Sequence, residues 1–204
     1  MKILCVGMNY AAHNNEMRNS LLRKEPVIFA KPDTALLRTG HPFFVPDFAE
    51  RFDHEAEVVV RICRLGKDIG ERFAHRYYEE VTLGIDFTAR DLQQRLRSES
   101  LPWEISKAFD GSAAVGEFVN KNELPDLQDL HFHLDIDGET RQVGHTADML
   151  HTIDEIVAYC SRFFTLRMGD LIYTGTPAGV GPVHEGQVLT GWLEDRQVMK
   201  MRVK

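Results

Sequence analysis

The chain has 204 residues, of which 43% are hydrophobic, and carries a formal net charge of −7. That is enough apolar chain for one sizeable core, read as a single domain over residues 1–204, and the acidic balance argues against a general nucleic-acid or anionic-membrane surface, since both need a basic patch. Cys5, Cys63 and Cys160 are odd in number, far apart and set among apolar neighbours, which reads as reduced core cysteines of a soluble cytoplasmic protein, and no window suits a signal peptide or membrane span.

In chain order, residues 2–6 read as a short strand closed by Gly7, followed by a turn of helix over residues 9–16 that sets His13 and Glu16 on one face. On these residues alone the pair is a surface ion pair or a functional dyad. Residues 14–25, polar and flanked by turns, suit a lid or an ordinary loop. Pro26 then opens a strand over residues 27–30, stopped by Lys31-Pro32. An extended piece at residues 41–46 leads to a strand over residues 55–63, rich in β-formers (Val58, Val59, Val60, Ile62). Residues 67–81 are charged and helix-like, with Ile69, Phe73 and Tyr77 as one apolar stripe.

Asp86 sits between Ile85 and Phe87, and the polar run of residues 88–98 has helical spacing, presenting Arg90 and Gln93 from one side. Lys107 follows among apolar neighbours, where a lone lysine usually snorkels to the surface. Residues 130–136 alternate as a strand, Asp137-Gly138 is a hairpin signal, and residues 139–143 are its return. Residues 148–164 have the spacing of an amphipathic helix with Met149, Ile153, Ile156, Val157 and Cys160 on its apolar side. A strand at residues 171–174 runs into the glycine-rich stretch 175–181, which lacks the residues of a P-loop but whose amides suit a carboxylate. Residues 186–204 are β-like with a turn near Glu194-Asp195.

The acids Glu55 and Glu57 lie two apart on a strand, roughly 7 Å along one face. They read either as a solvent-facing strand end with Lys or Arg partners, or as ligands of a cation. Asp86 adds a third acid in an equally apolar context. Three oxygen ligands suit a hard ion, Mg²⁺, Mn²⁺ or Ca²⁺, and disfavour zinc.

The order of these pieces carries more than any one of them. Gly7-Met8-Asn9-Tyr10-Ala11-Ala12-His13 with Glu16, Phe29-Ala30-Lys31-Pro32, Glu55-Ala56-Glu57, Asp86-Phe87-Thr88-Ala89-Arg90-Asp91, Pro102-Trp103, Lys107-Ala108-Phe109-Asp110, Gly169-Asp170 and Gly175-Thr176-Pro177-Ala178-Gly179 together resemble the fumarylacetoacetate hydrolase family over nearly the whole chain. The resemblance implies an α+β, β-rich fold, a mixed, barrel-like β-roll with peripheral helices, and a homodimer binding Mg²⁺ or Mn²⁺ (or Ca²⁺). It places the metal on Glu55, Glu57 and Asp86, a water-activating dyad on His13 and Glu16, and substrate contacts on Arg90, Gln93, Lys107 and Thr176, with Lys107 also catalytic. Two departures stand out: Met8 replaces an arginine common in small members, and the N-terminal extension of larger members is not expected.

The implied activity is metal-dependent hydrolysis of a C–C bond in an acylpyruvate or related 1,3-dicarbonyl or 2-oxo acid, with His13 taking a proton from water and Lys107 steadying the oxyanion or protonating the enolate. Decarboxylation of oxaloacetate-like acids and keto-enol isomerisation of a hydroxy-dienoate are the alternatives, since both use the same enolate without hydrolytic water. A non-enzymatic metal-stabilised scaffold comes last, because it would need the three acids but not the dyad.

Overall fold

The computed structural model describes residues 1–16 and 24–204, with the side chains of residues 14–16 excepted. The strand β1 (Ile3–Gly7) and the short helix α1 (Ala11–Glu16) are followed by β2 (Val27–Lys31), β3 (Leu36–Arg38), β4 (Phe52–His54), β5 (Ala56–Ile62), β6 (Tyr78–Asp86) and β7 (Thr88–Ala89). Then come α2 (Arg90–Ser98), α3 (Glu104–Lys107), β8 (Ala113–Val115), β9 (Val119–Asn120), the hairpin β10 (His131–Ile136) and β11 (Glu139–His145), α4 (Ile153–Phe163), β12 (Leu171–Tyr173), β13 (Gly181–Pro182), and the closing hairpin β14 (Val188–Leu193) and β15 (Arg196–Arg202).

Eight strands form one mixed sheet in the order β2-β1-β12-β5-β6-β8-β3, with β9 also paired to β6. β1 runs parallel to β12 and β3 to β8, while the other neighbours are antiparallel. The two hairpins make a second sheet, β11-β10-β14-β15, and β13-β4-β7 a small third. The chain is thus the β-rich mixed fold with few, peripheral helices that the resemblance implies. No described helix is long and apolar enough to cross a membrane.

Alternation along β5 divides the core. Val58, Val60 and Ile62 enter one cluster with Leu4, Val6 and the buried side of α4 (Ile153, Ile156, Val157, Cys160). Val59 points the other way, to Ile3, Cys5 and Tyr173. A third cluster joins Ile85 and Phe87 to Leu134, Leu189 and Met201 of the second sheet, with Phe43 stacked on Phe87. Glu57 shares the parity of Val59, so the strand's period of two sends it to the Cys5 and Tyr173 face.

Residues 67–81 do not form the expected helix. Only Glu71–Arg76 makes a 3₁₀ turn, and Tyr78 to Val81 belong to β6, where they pair with Ile62 and Val60. Ile69 is buried but Phe73 is exposed, so the stripe splits; the ladder with β5 outweighs local helix spacing here. The later helix starts at Ile153, not near Asp148: the Thr152 hydroxyl accepts from the Glu155 N–H while the Glu155 carboxylate accepts from the Thr152 N–H, a capping box that sets the boundary. Met149 precedes the helix and still packs on the core.

Gly84 shows how tightly the central sheet is built. A Cβ there would lie 2.6 Å from Val59 Cγ2, 2.7 Å from Tyr173 Cε1 and 2.8 Å from the Ala114 carbonyl oxygen. Gly84→Ala is therefore expected to destabilise the fold by about 1–3 kcal/mol, the usual cost of overpacking. Chemical denaturation would measure it, and an unchanged midpoint would refute the close packing.

Candidate functional site

The site grows from the register of β5 and β6. Ala56 pairs with Ile85 and Glu57 with Gly84. One step further, the Asp86 N–H donates to the Glu55 carbonyl at 2.8 Å, which sets Asp86 opposite Glu55. All three acids then share one sheet face, and Gly84 opposite Glu57 adds no side chain to it. The ligand oxygens of Glu55, Glu57 and Asp86 come within 4.8 Å of one another, and all three residues are buried.

Each acid is held differently. Glu55 accepts from Arg90 Nη2 and Lys107 Nζ, both at 2.6 Å. Burial favours its neutral form, but Lys107 and then Arg90 outweigh it and hold the carboxyl below its ordinary range. Asp86 accepts from Lys107 at 2.8 Å, and Lys31 Nζ lies 2.6 Å from its other oxygen as an ion pair. Glu57 accepts, among the described residues, only from the Gly175 N–H, at 2.7 Å. Burial, followed by the charges of Asp86 and Glu55, pushes its carboxyl well above the usual range.

The fit to a divalent cation follows from this asymmetry. Three clustered, buried oxygen donors, one of them without a cation of its own among the described residues, match a hard ion such as Mg²⁺ or Mn²⁺. A divalent metal site on Glu55, Glu57 and Asp86 is thus chemically reasonable.

Around the acids, one cavity is lined by His13, Glu55, Glu57, Asp86, Arg90, Gln93, Lys107 and Thr176, together with Met8, Phe29, Arg97 and Trp103. The cavity thus brings together every site residue singled out from the sequence except Glu16, whose side chain lies outside the described residues, as does the stretch 17–23 of the lid expected over residues 14–25. Asn9 braces the turn that delivers His13: its amide donates to the carbonyls of His151 and Thr174 and accepts from the His151 N–H. Met8 takes a positive φ of 63° in that turn.

Three side chains depart from the simplest expectation. Lys107 is buried at the end of α3, donating to Glu55, Asp86 and the Thr88 hydroxyl (2.7 Å) instead of snorkelling. Burial alone would lower its pKa, yet Asp86 and Glu55 raise it, so it remains an ammonium. Arg90 gives its Nε to Asp53, Nη1 to Gln93 and Nη2 to Glu55, so its fork orients a ligand acid. The Thr176 hydroxyl donates to the Ala56 carbonyl and accepts from Gln142 Nε2.

Sequence reading passed over three residues. Gln142, in the hairpin return, is a buried brace: its oxygen accepts from the Ala56 N–H at 3.0 Å and stands 3.1 Å from His54 Nδ1, while its amide donates to Thr176 and the Pro177 carbonyl. Lys31 was read as a strand stop and as part of the Phe29-Ala30-Lys31-Pro32 motif, with no role at the site. Arg97 lies one helical turn beyond Gln93, and extending the Arg90 and Gln93 face by that turn would have found it.

Comparison with known proteins agrees with this geometry. The family model described as fumarylacetoacetate (FAA) hydrolase C-terminal matches residues 2–204. The chain is 41% identical over 202 residues to the mitochondrial oxaloacetate tautomerase FAHD1 of Mus musculus, covering 99% of this chain and 91% of that one. It is 40% identical over 190 residues to the oxaloacetate tautomerase YcgM of Escherichia coli strain K12, covering 93% and 86%. A crystal structure of fumarylpyruvate hydrolase from Pseudomonas aeruginosa in complex with Mn²⁺ and pyruvate superposes with a TM-score of 0.93 at 37% identity, covering all of this chain and 89% of that one. With the matched family model spanning all but its first residue, this chain belongs to the fumarylacetoacetate hydrolase family of enzymes.

Proposed function

We propose that the protein interconverts the enol and keto forms of oxaloacetate or a close 2-oxo dicarboxylic acid, with Mg²⁺ or Mn²⁺ on Glu55, Glu57 and Asp86. The observation that carries the enolate chemistry of this reading is the placement of Lys107. An ammonium whose three N–H groups go to Glu55, Asp86 and Thr88 and which its neighbours keep protonated acts on the substrate through its charge and not as a base. Such a charge suits a reaction whose charge develops on an oxygen, as enolisation does.

A divalent ion at the acids would supply Lewis-acid polarisation of the 2-oxo acid. The protein's own groups supply the rest. His13 takes the proton from the carbon between the two carbonyl carbons, and the electron pair of the C–H bond becomes the C=C bond as charge moves to the 2-oxo oxygen. Lys107 steadies that charge, and the proton now on His13 passes to the oxygen to complete the enol and return His13 to its neutral form; the reverse sequence gives the keto acid. Gln93, whose carbonyl oxygen is taken by Arg90, offers its amide N–H to the ligand, as does the backbone around Thr176.

Enolate stabilisation is shared by hydrolysis, decarboxylation and tautomerisation, so the choice among them rests on relatives. Two relatives about 40% identical over most of the chain are oxaloacetate tautomerases, which favours the isomerising alternative over C–C hydrolysis. Acylpyruvate hydrolysis stays as the second reading, supported by the fumarylpyruvate hydrolase likeness and by His13 at the cavity.

The test follows the decay of enol-oxaloacetate absorbance with Mg²⁺, with Mn²⁺ and after chelation, alongside acylpyruvate cleavage. Metal-dependent acceleration is expected, and His13→Ala should reduce it by about 10²- to 10⁴-fold, the range for losing a general base. Enol decay at the buffer rate beside rapid acylpyruvate cleavage would put the hydrolase first.

A further inference from the structure

The cations of the site are not equivalent. Arg90 commits three of its five N–H groups to Asp53, Gln93 and Glu55, and two of these partners are carboxylates that match its charge. Lys107 spends its three on Glu55, Asp86 and Thr88, and Lys31 is held by Asp86 and Ser112. Arg97 lines the same cavity and has no carboxylate at ion-pair distance among the described residues.

Its position is built. Arg90, Gln93 and Arg97 stand at i, i+3 and i+7 on α2, hence on one face of the helix. The Arg97 guanidinium carbon lies 5.2 Å from the centroid of the Trp103 ring. Stacking on an aromatic face restrains the guanidinium plane while leaving its edge N–H groups for a planar anion, which a lysine could not present as a fork. Partial burial and then the Arg90 charge lower the Arg97 pKa from its ordinary value although the residue as a whole is exposed, and an arriving carboxylate would give the guanidinium the counter-charge that no described carboxylate supplies at ion-pair distance.

We propose that Arg97, stacked on Trp103, receives the second carboxylate of the substrate, and so selects 2-oxo dicarboxylic acids over monocarboxylic ones. The inference rests on the enol-keto reading of the site and makes it more specific: the 2-oxo acid end lies toward Glu55, Glu57 and Asp86, the distal carboxylate toward Arg97. Arg97 is a specificity residue and touches no reacting atom.

The experiment compares two unreactive ligands on the Mn²⁺-loaded protein by calorimetry. Malate carries the distal carboxylate, and 2-hydroxybutyrate has a methyl group in its place. Arg97→Gln should weaken malate about 10- to 100-fold, the range for a hydrogen-bonded charged group, and leave 2-hydroxybutyrate within about twofold, which also reports an intact fold. Arg97→Lys should fall between wild type and Arg97→Gln for malate. With oxaloacetate, KM should rise in Arg97→Gln while kcat holds. Unchanged malate affinity, or an equal loss for both ligands, overturns the assignment. Because these affinities need no turnover, selective malate loss in a protein that fails to tautomerise oxaloacetate would keep Arg97 and reject the reaction, and the opposite pattern would do the reverse.

Discussion

Glu57→Gln is expected to abolish tight divalent-metal binding while leaving the metal-free protein at least as stable as wild type. Glu57 is 2% exposed, faces Glu55 and Asp86, and among the described residues accepts only from the Gly175 N–H. Glutamine keeps an acceptor for that N–H and holds the position in the neutral form that burial, Asp86 and Glu55 already favour, so the metal-free fold should lose nothing. Metal binding loses a charged ligand. Outer partners of metal ligands cost about 10- to 100-fold in affinity when removed, and a direct ligand should cost more than that. In wild type, Mn²⁺ at 100 times its dissociation constant should add about 2.7 kcal/mol of stability; in Glu57→Gln the shift should vanish. Calorimetry with thermal unfolding checks both signs, and a variant that binds Mn²⁺ as wild type does would remove Glu57 from the metal site.

Lys107→Met should act in the opposite sense on the metal. Its ammonium joins Glu55 to Asp86, so deleting it leaves two buried carboxylates short of a partner. Losing one member of a buried pair costs about 3–5 kcal/mol, and the metal-free variant should unfold correspondingly early. A divalent ion faces less competing positive charge, so Mn²⁺ affinity should be no weaker than wild type, and saturating Mn²⁺ should restore part of the stability. Turnover should still fall by roughly 10²- to 10³-fold, the scale of losing one preorganised electrostatic group beside a developing oxyanion. Normal turnover in the metal-loaded variant would assign Lys107 a structural role only.

Both expectations depend on contacts that differ in how far they could be read from the chain. The strand through Val58, Val59 and Val60, the common face of Glu55 and Glu57, the Asp137-Gly138 turn and the face shared by Arg90 and Gln93 all follow from periods of two and 3.6 residues within short windows. The fate of residues 67–81 did not follow, because the apolar spacing there fits a helix as well as it fits the strand pairing that claims Tyr78 and Val81. Gln142 was invisible for a related reason: it reaches Ala56 across 86 positions and Thr176 across 34.

By itself, the sequence determined the identity and order of the chemical groups, and through local periodicity which of them share a face: His13 beside the first strand, Glu55 and Glu57 on one side of theirs, Asp86 at the end of the next, Lys107 after the Pro102-Trp103 break. Only the tertiary structure decided what each group meets. The strand order β12-β5-β6 sets Gly175 on Glu57 and Asp86 opposite Glu55, and α3 turns Lys107 inward onto both. It also commits Arg90 to Asp53 and Glu55 and sets Arg97 over the Trp103 ring. The physical reason is that a side chain's direction is set by its own few residues, whereas its charge partner and its dehydration are set by whichever distant strand the core brings against it.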